Sequence, residues 1–132
     1  MVADLSAQRR RSVTGRVLVV DDDPDILDAL SEILEVEGYE VQRARNGREA
    51  LQRLEHAPPD LVLLDLMMPV MDGWEFARSL APGARPPIIV LSADRNVSAK
   101  AKEIGALGWL AKPFELSDLL AAVRSVVPVE TP

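Results

Sequence analysis

Several polar side chains stand directly after short apolar runs, and their types suit one chemistry. Asp21, Asp22 and Asp23 follow Val17–Val20, Asp65 follows Leu61–Leu64, Ser92 follows Ile88–Leu91, and Lys112 follows Trp109–Ala111. Carboxylates sharing a cleft repel one another, so such a set needs a cation or raised pKa values. The chain has no cysteine and one histidine, His56. An oxygen-only donor set suits a hard cation that keeps its waters, which points to Mg²⁺ over zinc. A lysine and a hydroxyl beside that cation could bind the remaining oxygens of a phosphoryl group. A carboxylate facing that group can be its nucleophile, giving an aspartyl phosphate. Neither GxxxxGK(S/T) nor GxGxxG occurs, so the phosphoryl group is expected from a donor, not from a resident nucleotide. His56 alone supports neither a Ser-His-Asp triad nor a phosphohistidine. Met67, Met68 and Met71 cluster nearby, but thioethers are poor partners for a cation held by hard carboxylates.

For these residues to meet, the runs that carry them must lie side by side. Five runs read as strands: Arg16–Val20, Tyr39–Arg43, Leu61–Leu64, Ile88–Leu91 and Trp109–Ala111. Between and after them come helical spacings. Ile26, Leu27, Leu30, Ile33 and Leu34 make one apolar face, and Leu116, Leu119, Leu120, Val123 and Val127 another. Shorter, weaker stripes lie near 47–56, 73–80 and 96–104. Asp23-Pro24 suits an N-cap followed by proline at the first helical position, so Asp23 is read as a cap and kept out of the site. Asn46 caps the second helix and Gly38 ends the first. Strands alternating with helices imply α/β architecture, a doubly wound five-stranded parallel sheet covered on both faces. The second strand alone alternates polar and apolar residues, which places it at an edge. Ligands of such sheets bind beyond the carboxyl ends of the strands, where the acids, the hydroxyl and the lysine stand.

Composition narrows the class. The 132 residues are 48% hydrophobic and 27% charged, which excludes a disordered chain and suits one domain. Apolar runs reach only four or five residues, too short for a membrane span, and no secretory h-region opens the chain. A cytoplasmic protein is expected. Four of the 15 bases (Arg9, Arg10, Arg11, Arg16) and one of the 21 acids (Asp4) lie in the first sixteen residues. The remainder therefore carries 11 bases against 20 acids, a charge of −9 that argues against direct nucleic-acid binding. Residues 1–15 are read as a disordered, arginine-containing leader, 16–127 as the domain, and 128–132 as a C-terminal tail. No output segment follows Val127, so a stand-alone regulator or an excised domain is expected.

Val19-Val20-Asp21-Asp22-Asp23, the run from Leu63 to Gly73 (LLDLMMPVMDG), Val90-Leu91-Ser92-Ala93 and Lys112-Pro113-Phe114 together resemble a response-regulator receiver domain. The resemblance spans about Arg16 to Val127. It implies a flavodoxin-like (βα)5 fold with strand order 2-1-3-4-5. It implies a phospho-accepting role in a two-component or phosphorelay system. Asp65 would be the phospho-acceptor, and Asp22 would ligate Mg²⁺ directly. Asp21 would act through a water or orient the site, and the Met67 backbone carbonyl would complete the metal set. Ser92 would hydrogen-bond the phosphoryl group, while Lys112 would pair with Asp65 at rest and with the phosphoryl group afterwards. The Lys112-Pro113 bond would be cis. Trp109 occupies the position of an aromatic switch residue, with packing on the fourth helix as the plainer reading. Met67 would shield the acyl phosphate and Met68 would be core. The implied partners are a histidine kinase or histidine phosphotransfer protein and an unidentified protein target, with the chain a monomer or weak dimer. Beyond its own Asp phosphorylation and dephosphorylation it would not be an enzyme. Haloacid-dehalogenase-type phosphatases, which also use Asp and Mg²⁺, place a second Asp where this chain has Met67. A phosphate-independent scaffold with the same fold is the other alternative.

Overall fold

The computed structural model describes residues 15–129 except 69, 81, 82 and 84. Five strands alternate with five helices: β1 (Arg16–Val20), α1 (Pro24–Val36), β2 (Glu40–Ala44), α2 (Gly47–His56), β3 (Leu61–Asp65), α3 (Gly73–Arg78), β4 (Ile88–Ser92), α4 (Val97–Glu103), β5 (Gly108–Ala111) and α5 (Leu116–Val126). All pairings are parallel and the order is β2-β1-β3-β4-β5. The expected α/β flavodoxin-like sheet is therefore the one observed, with element ends differing from the sequence expectation by one or two residues.

The uninterrupted apolar runs have a simple cause. Successive side chains of a strand point to opposite faces, and here both faces are covered. Leu18, Val20, Val62, Leu64, Ile88 and Val90 pack with α2, α3 and α4 residues such as Ala50, Phe76 and Ala101. Val17, Val19, Leu61, Leu63, Ile89 and Leu91 pack on the other side with Leu27, Leu30 and Leu34 of α1 and Leu119 and Val123 of α5. β2 lies at an edge and exposes Glu40 and Arg43, which is why it alone alternates in polarity.

Helix ends follow the local chemistry. The Asp23 carboxylate accepts from the Asp25 N–H at 2.9 Å and caps α1, with Pro24 opening the helix. Asn46 caps α2 through the Glu49 N–H. Gly38, at φ +104°, turns the chain out of α1, a conformation that costs a residue with a Cβ more than it costs glycine. The Lys112-Pro113 peptide is cis.

The ends of the domain are tied together. The Tyr39 hydroxyl donates to the Val127 carbonyl at 2.6 Å in a buried contact that joins the entry to β2 with the end of α5. Gly15, expected in the leader, accepts a backbone hydrogen bond from the Glu40 N–H at 3.1 Å and lies against Val127. Val129, expected in the C-terminal tail, packs against the apolar cluster shared by α1 and α5. The rest of that leader, residues 1–14, and positions 130–132 of the tail lie outside the described residues. No helix among the described residues is long and apolar enough to cross a membrane.

Removing the Tyr39 hydroxyl leaves a buried carbonyl without its partner. Tyr39→Phe is expected to lower unfolding free energy by about 1–2 kcal/mol in urea denaturation. An unchanged midpoint would show that the tie contributes nothing.

Candidate functional site

The carboxyl ends of β1, β3, β4 and β5 converge on one rim. Asp21 immediately follows β1 and is almost fully buried, at 1% exposure. Its backbone N–H donates to the Ala44 carbonyl of β2 at 3.1 Å, fixing its position. Both carboxylate oxygens are engaged: Oδ1 accepts from the Asp23 N–H at 2.9 Å and Oδ2 from Lys112 Nζ at 2.9 Å. Asp22 is exposed and its carboxylate makes no hydrogen bond or ion pair with a described residue. Asp65 ends β3 and is 6% exposed. Its Oδ1 accepts from the Met67 N–H at 3.2 Å. Carboxylate oxygens of Asp21, Asp22 and Asp65 lie within 4.8 Å of one another. Asp23 is not among them, as its capping role requires.

The loop after Asp65 is folded tightly beneath it. The Gly73 N–H donates to the Leu66 carbonyl at 3.1 Å. A Cβ at Gly73 would come within 2.8 Å of the Asp65 carbonyl oxygen and 2.9 Å of the Leu66 Cα, so backbone contact excludes any side chain there. Asp72 caps α3 in a reciprocal capping box with Glu75. Between them Val70 holds φ +71°, strained for a β-branched residue, and exposes its side chain. Met67 is 65% exposed at the mouth of the site, whereas Met68 is buried in the core. Trp74 is partly buried against that core, and His56 is exposed at the end of α2.

On the far side of the rim, Ser92 ends β4 fully buried, and its Oγ accepts from the Asp94 N–H at 3.1 Å. Lys112 is set by pairing across β4 and β5, where its N–H donates to the Ser92 carbonyl at 2.8 Å. Lys112 is paired with two of the acids. Its ammonium lies 3.7 Å from Asp65 Oδ2, the ion pair expected at rest, and it also hydrogen-bonds Asp21 Oδ2 at 2.9 Å. Trp109 stands on β5 with 45% of its surface exposed, so it lies outside the packed core.

Three carboxylates thus face one ammonium. Burial pushes Asp65 up to about 6; Lys112 and the Met67 N–H pull it down and Asp21 and Asp22 push it up, and together these neighbours do not cancel the effect of burial. For Lys112, burial disfavours the charged form, but the hydrogen bond to Asp21 and the three acids outweigh it and raise its pKa. The cluster is short of positive charge. Its donors are all oxygen, one carboxylate is free and exposed, and the shortage is the kind a hard divalent cation relieves. The residues fit Mg²⁺.

Motif reading left two contributors unmarked. Lys100 pairs with Asp94, the residue two places after Ser92, and nothing in the spacing of α4 signals it. Val70 is in a left-handed conformation that no valine would advertise.

A family model described as the response regulator receiver domain matches residues 17–124. The response regulator MprA of Mycolicibacterium vanbaalenii is 43% identical over 120 residues, covering 89% of this chain and 52% of that protein. The chain therefore spans about half the length of this relative. Among solved structures, the chemotaxis protein CheY4 of Vibrio cholerae matches with a TM-score of 0.77 and 36% identity over 86% of this chain and 99% of that one. The response regulator TrrA of Thermotoga maritima, solved with Mg²⁺ and BeF, matches with a TM-score of 0.76 and 35% identity over 85% of this chain and 98% of that one.

The raised Asp65 pKa has a consequence for stability. The native protein holds this proton up to about pH 6, whereas an ordinary aspartate releases it near 3.8. The native state then binds more protons in between, so stability falls as pH rises through that window. Asp65→Asn removes the penalty. In chelator at pH 7.5 the variant is expected to be about 1–3 kcal/mol more stable than the wild type, with the difference vanishing near pH 4. Equal stabilities across this range, measured by denaturant unfolding, would contradict the electrostatic reading.

Proposed function

This chain belongs to the response regulator receiver domains of two-component signalling, and from that premise we propose that it is a switch thrown by phosphorylation of Asp65. The observation that carries the reading is the convergence of Asp21, Asp22 and Asp65 on one ammonium at the carboxyl rim. The phosphoryl donor is a histidine kinase or phosphotransfer protein bearing a phosphohistidine. An oxygen of the Asp65 carboxylate attacks phosphorus. The new O–P bond forms as the bond from phosphorus to the imidazole nitrogen breaks and its electron pair returns to the imidazole. Asp21, Asp22, Asp65 and the Met67 carbonyl would hold Mg²⁺, which would supply positive charge against the phosphoryl oxygens.

Each residue then has a stated task. Asp22, exposed and without a partner among the described residues, offers its carboxylate to the cation directly. Asp21, already engaged by Lys112 and the Asp23 N–H, orients the site and acts through water. The Met67 N–H holds the Asp65 carboxylate in place. Lys112 lies close enough to Asp65 to meet charge developing on the transferred group, at the cost of loosening its bond to Asp21. The Ser92 hydroxyl, buried and tied to the loop through the Asp94 N–H, donates to the phosphoryl group once it is in place. Its displacement biases the β4–α4 loop, α4, β5 and α5, including Trp109, toward the arrangement a protein target recognises. The domain proposed for these roles is 16–127, acting in the cytoplasm without contacting nucleic acid itself. Its chemistry is confined to gaining and losing its own phosphoryl group.

Intact-mass spectrometry after incubation with acetyl phosphate tests this reading. One phosphoryl adduct is expected with Mg²⁺ and none with chelator or in Asp65→Asn. Lys112→Ala is expected to slow uptake roughly a hundredfold, as loss of one charge-stabilising donor does elsewhere. Ser92→Ala should still accept the group, and its affinity for a target should no longer respond. If the wild type gains no adduct from acetyl phosphate and binds no beryllofluoride, the phosphate-independent scaffold replaces this reading.

A further inference from the structure

The loop that leaves Ser92 is fastened to α4 at a single residue, Asp94. Asp94 makes four connections between Ser92 and Lys100. Its N–H donates to Ser92 Oγ at 3.1 Å. Its carbonyl accepts from the Val97 N–H at 3.2 Å. Its Oδ1 accepts from the Asn96 N–H at 2.7 Å, and its Oδ2 is paired with Lys100 Nζ. Asn96, the residue in the N-cap position of α4, makes no side-chain capping bond, so the start of this helix is held by Asp94 in its place. Lys100 lies on the second turn of α4, and both side chains of the pair are only 26% exposed. Half-buried and held at both ends, this pair differs from a solvated surface contact. The Lys100 hydrogen bond lowers the Asp94 pKa, and the Asn96 N–H adds to it, so the carboxylate stays charged at neutral pH.

We infer that Lys100 is a positioning residue for the phosphoryl site: through Asp94 it makes the β4–α4 loop and α4 move as one body with the Ser92 hydroxyl. The inference rests on the phospho-acceptor reading above and goes beyond it by naming the mechanical link. Lys100 touches neither the acceptor nor the carboxylate cluster. When Ser92 turns toward a group on Asp65, the Asp94 N–H must follow or let go. With Lys100 in place, following means carrying α4. The site therefore binds its phosphoryl group less tightly than it would alone, and α4 receives the difference as displacement. Without Lys100, the loop follows Ser92 while α4 stays, so the site binds more tightly and the helix no longer responds.

The experiment is a beryllofluoride titration at saturating Mg²⁺, followed by amide NMR on the whole chain, for wild type, Lys100→Met, Lys100→Arg and Asp94→Asn. In the wild type, shifts are expected both at Ser92–Asn96 and at Ala101–Glu103. In Lys100→Met and Asp94→Asn the loop shifts persist, those at Ala101–Glu103 fall below half, and affinity for beryllofluoride rises roughly two- to fivefold, the worth of one partly exposed ion pair. Combining the two substitutions adds nothing further, and Lys100→Arg retains the wild-type response. A purely structural role for Lys100 would lower melting temperature and leave affinity and the α4 shifts as in wild type, which would overturn the inference. Absence of beryllofluoride binding in the wild type would instead overturn the phospho-acceptor reading, and this inference with it.

Discussion

Negative charge in excess at one point on the sheet rim is the constraint around which the domain is organised. Three carboxylates lie within 4.8 Å of one another and one ammonium answers them. Two of the acids are buried, so water screens them little and the imbalance acts at close range. Burial is the main cause that moves Asp65 upward; Lys112 opposes it, and Asp21 and Asp22 offset part of that opposition. Such a cluster destabilises the fold that contains it, a cost that the proposed phosphorylation switch accounts for.

The fold makes that concentration affordable. β1, β3 and β4 are buried on both faces and hydrogen-bonded on both sides, which fixes the rim to which Asp21, Asp65 and Ser92 belong. The rim is rigid where chemistry is proposed and looser where movement is proposed. Asp21 is anchored to β2 and to Lys112, and Asp65 is buttressed from below by Gly73. Beyond Ser92 the loop to α4 depends on Asp94, and β5 is an edge strand with alternate residues exposed. An anchored acceptor on one side of the site and a helix tethered through one residue on the other suit a switch that must hold its acceptor still while displacing something else.

Much of this was legible in the amino-acid order. Strand identity followed from apolar runs buried on both faces, and the edge position of β2 from its alternation. The caps of Asp23 and Asn46 followed from short polar side chains placed ahead of helical stripes. The rim residues were legible because each stands where an apolar run stops. What was not legible depended on distance across strands. Spacing along the chain cannot say that Lys112, paired with Asp65, also hydrogen-bonds Asp21, because that is settled by strand order and side-chain length together. Nor does it say that Lys100 folds back on Asp94, since a lysine on a short amphipathic helix ordinarily faces water. Val70 gives no sign of its left-handed backbone, which the turn between Asp65 and the α3 cap imposes on it. Gly15 and Val129 belong to no periodic stretch, and their packing on Val127 and on the α1–α5 cluster depends on contacts between residues distant along the chain.

The claim that a buried carboxylate in an acidic cluster defines this site is tested most directly by the carboxyl carbon of Asp65. Its NMR titration in metal-free solution should give an apparent pKa near 6, and saturating Mg²⁺ should move it well downward as positive charge is supplied. Asp22→Asn should weaken that metal-induced movement. A titration already in the ordinary aspartate range near 3.8 without metal, unaltered by Mg²⁺, would contradict the account at its centre.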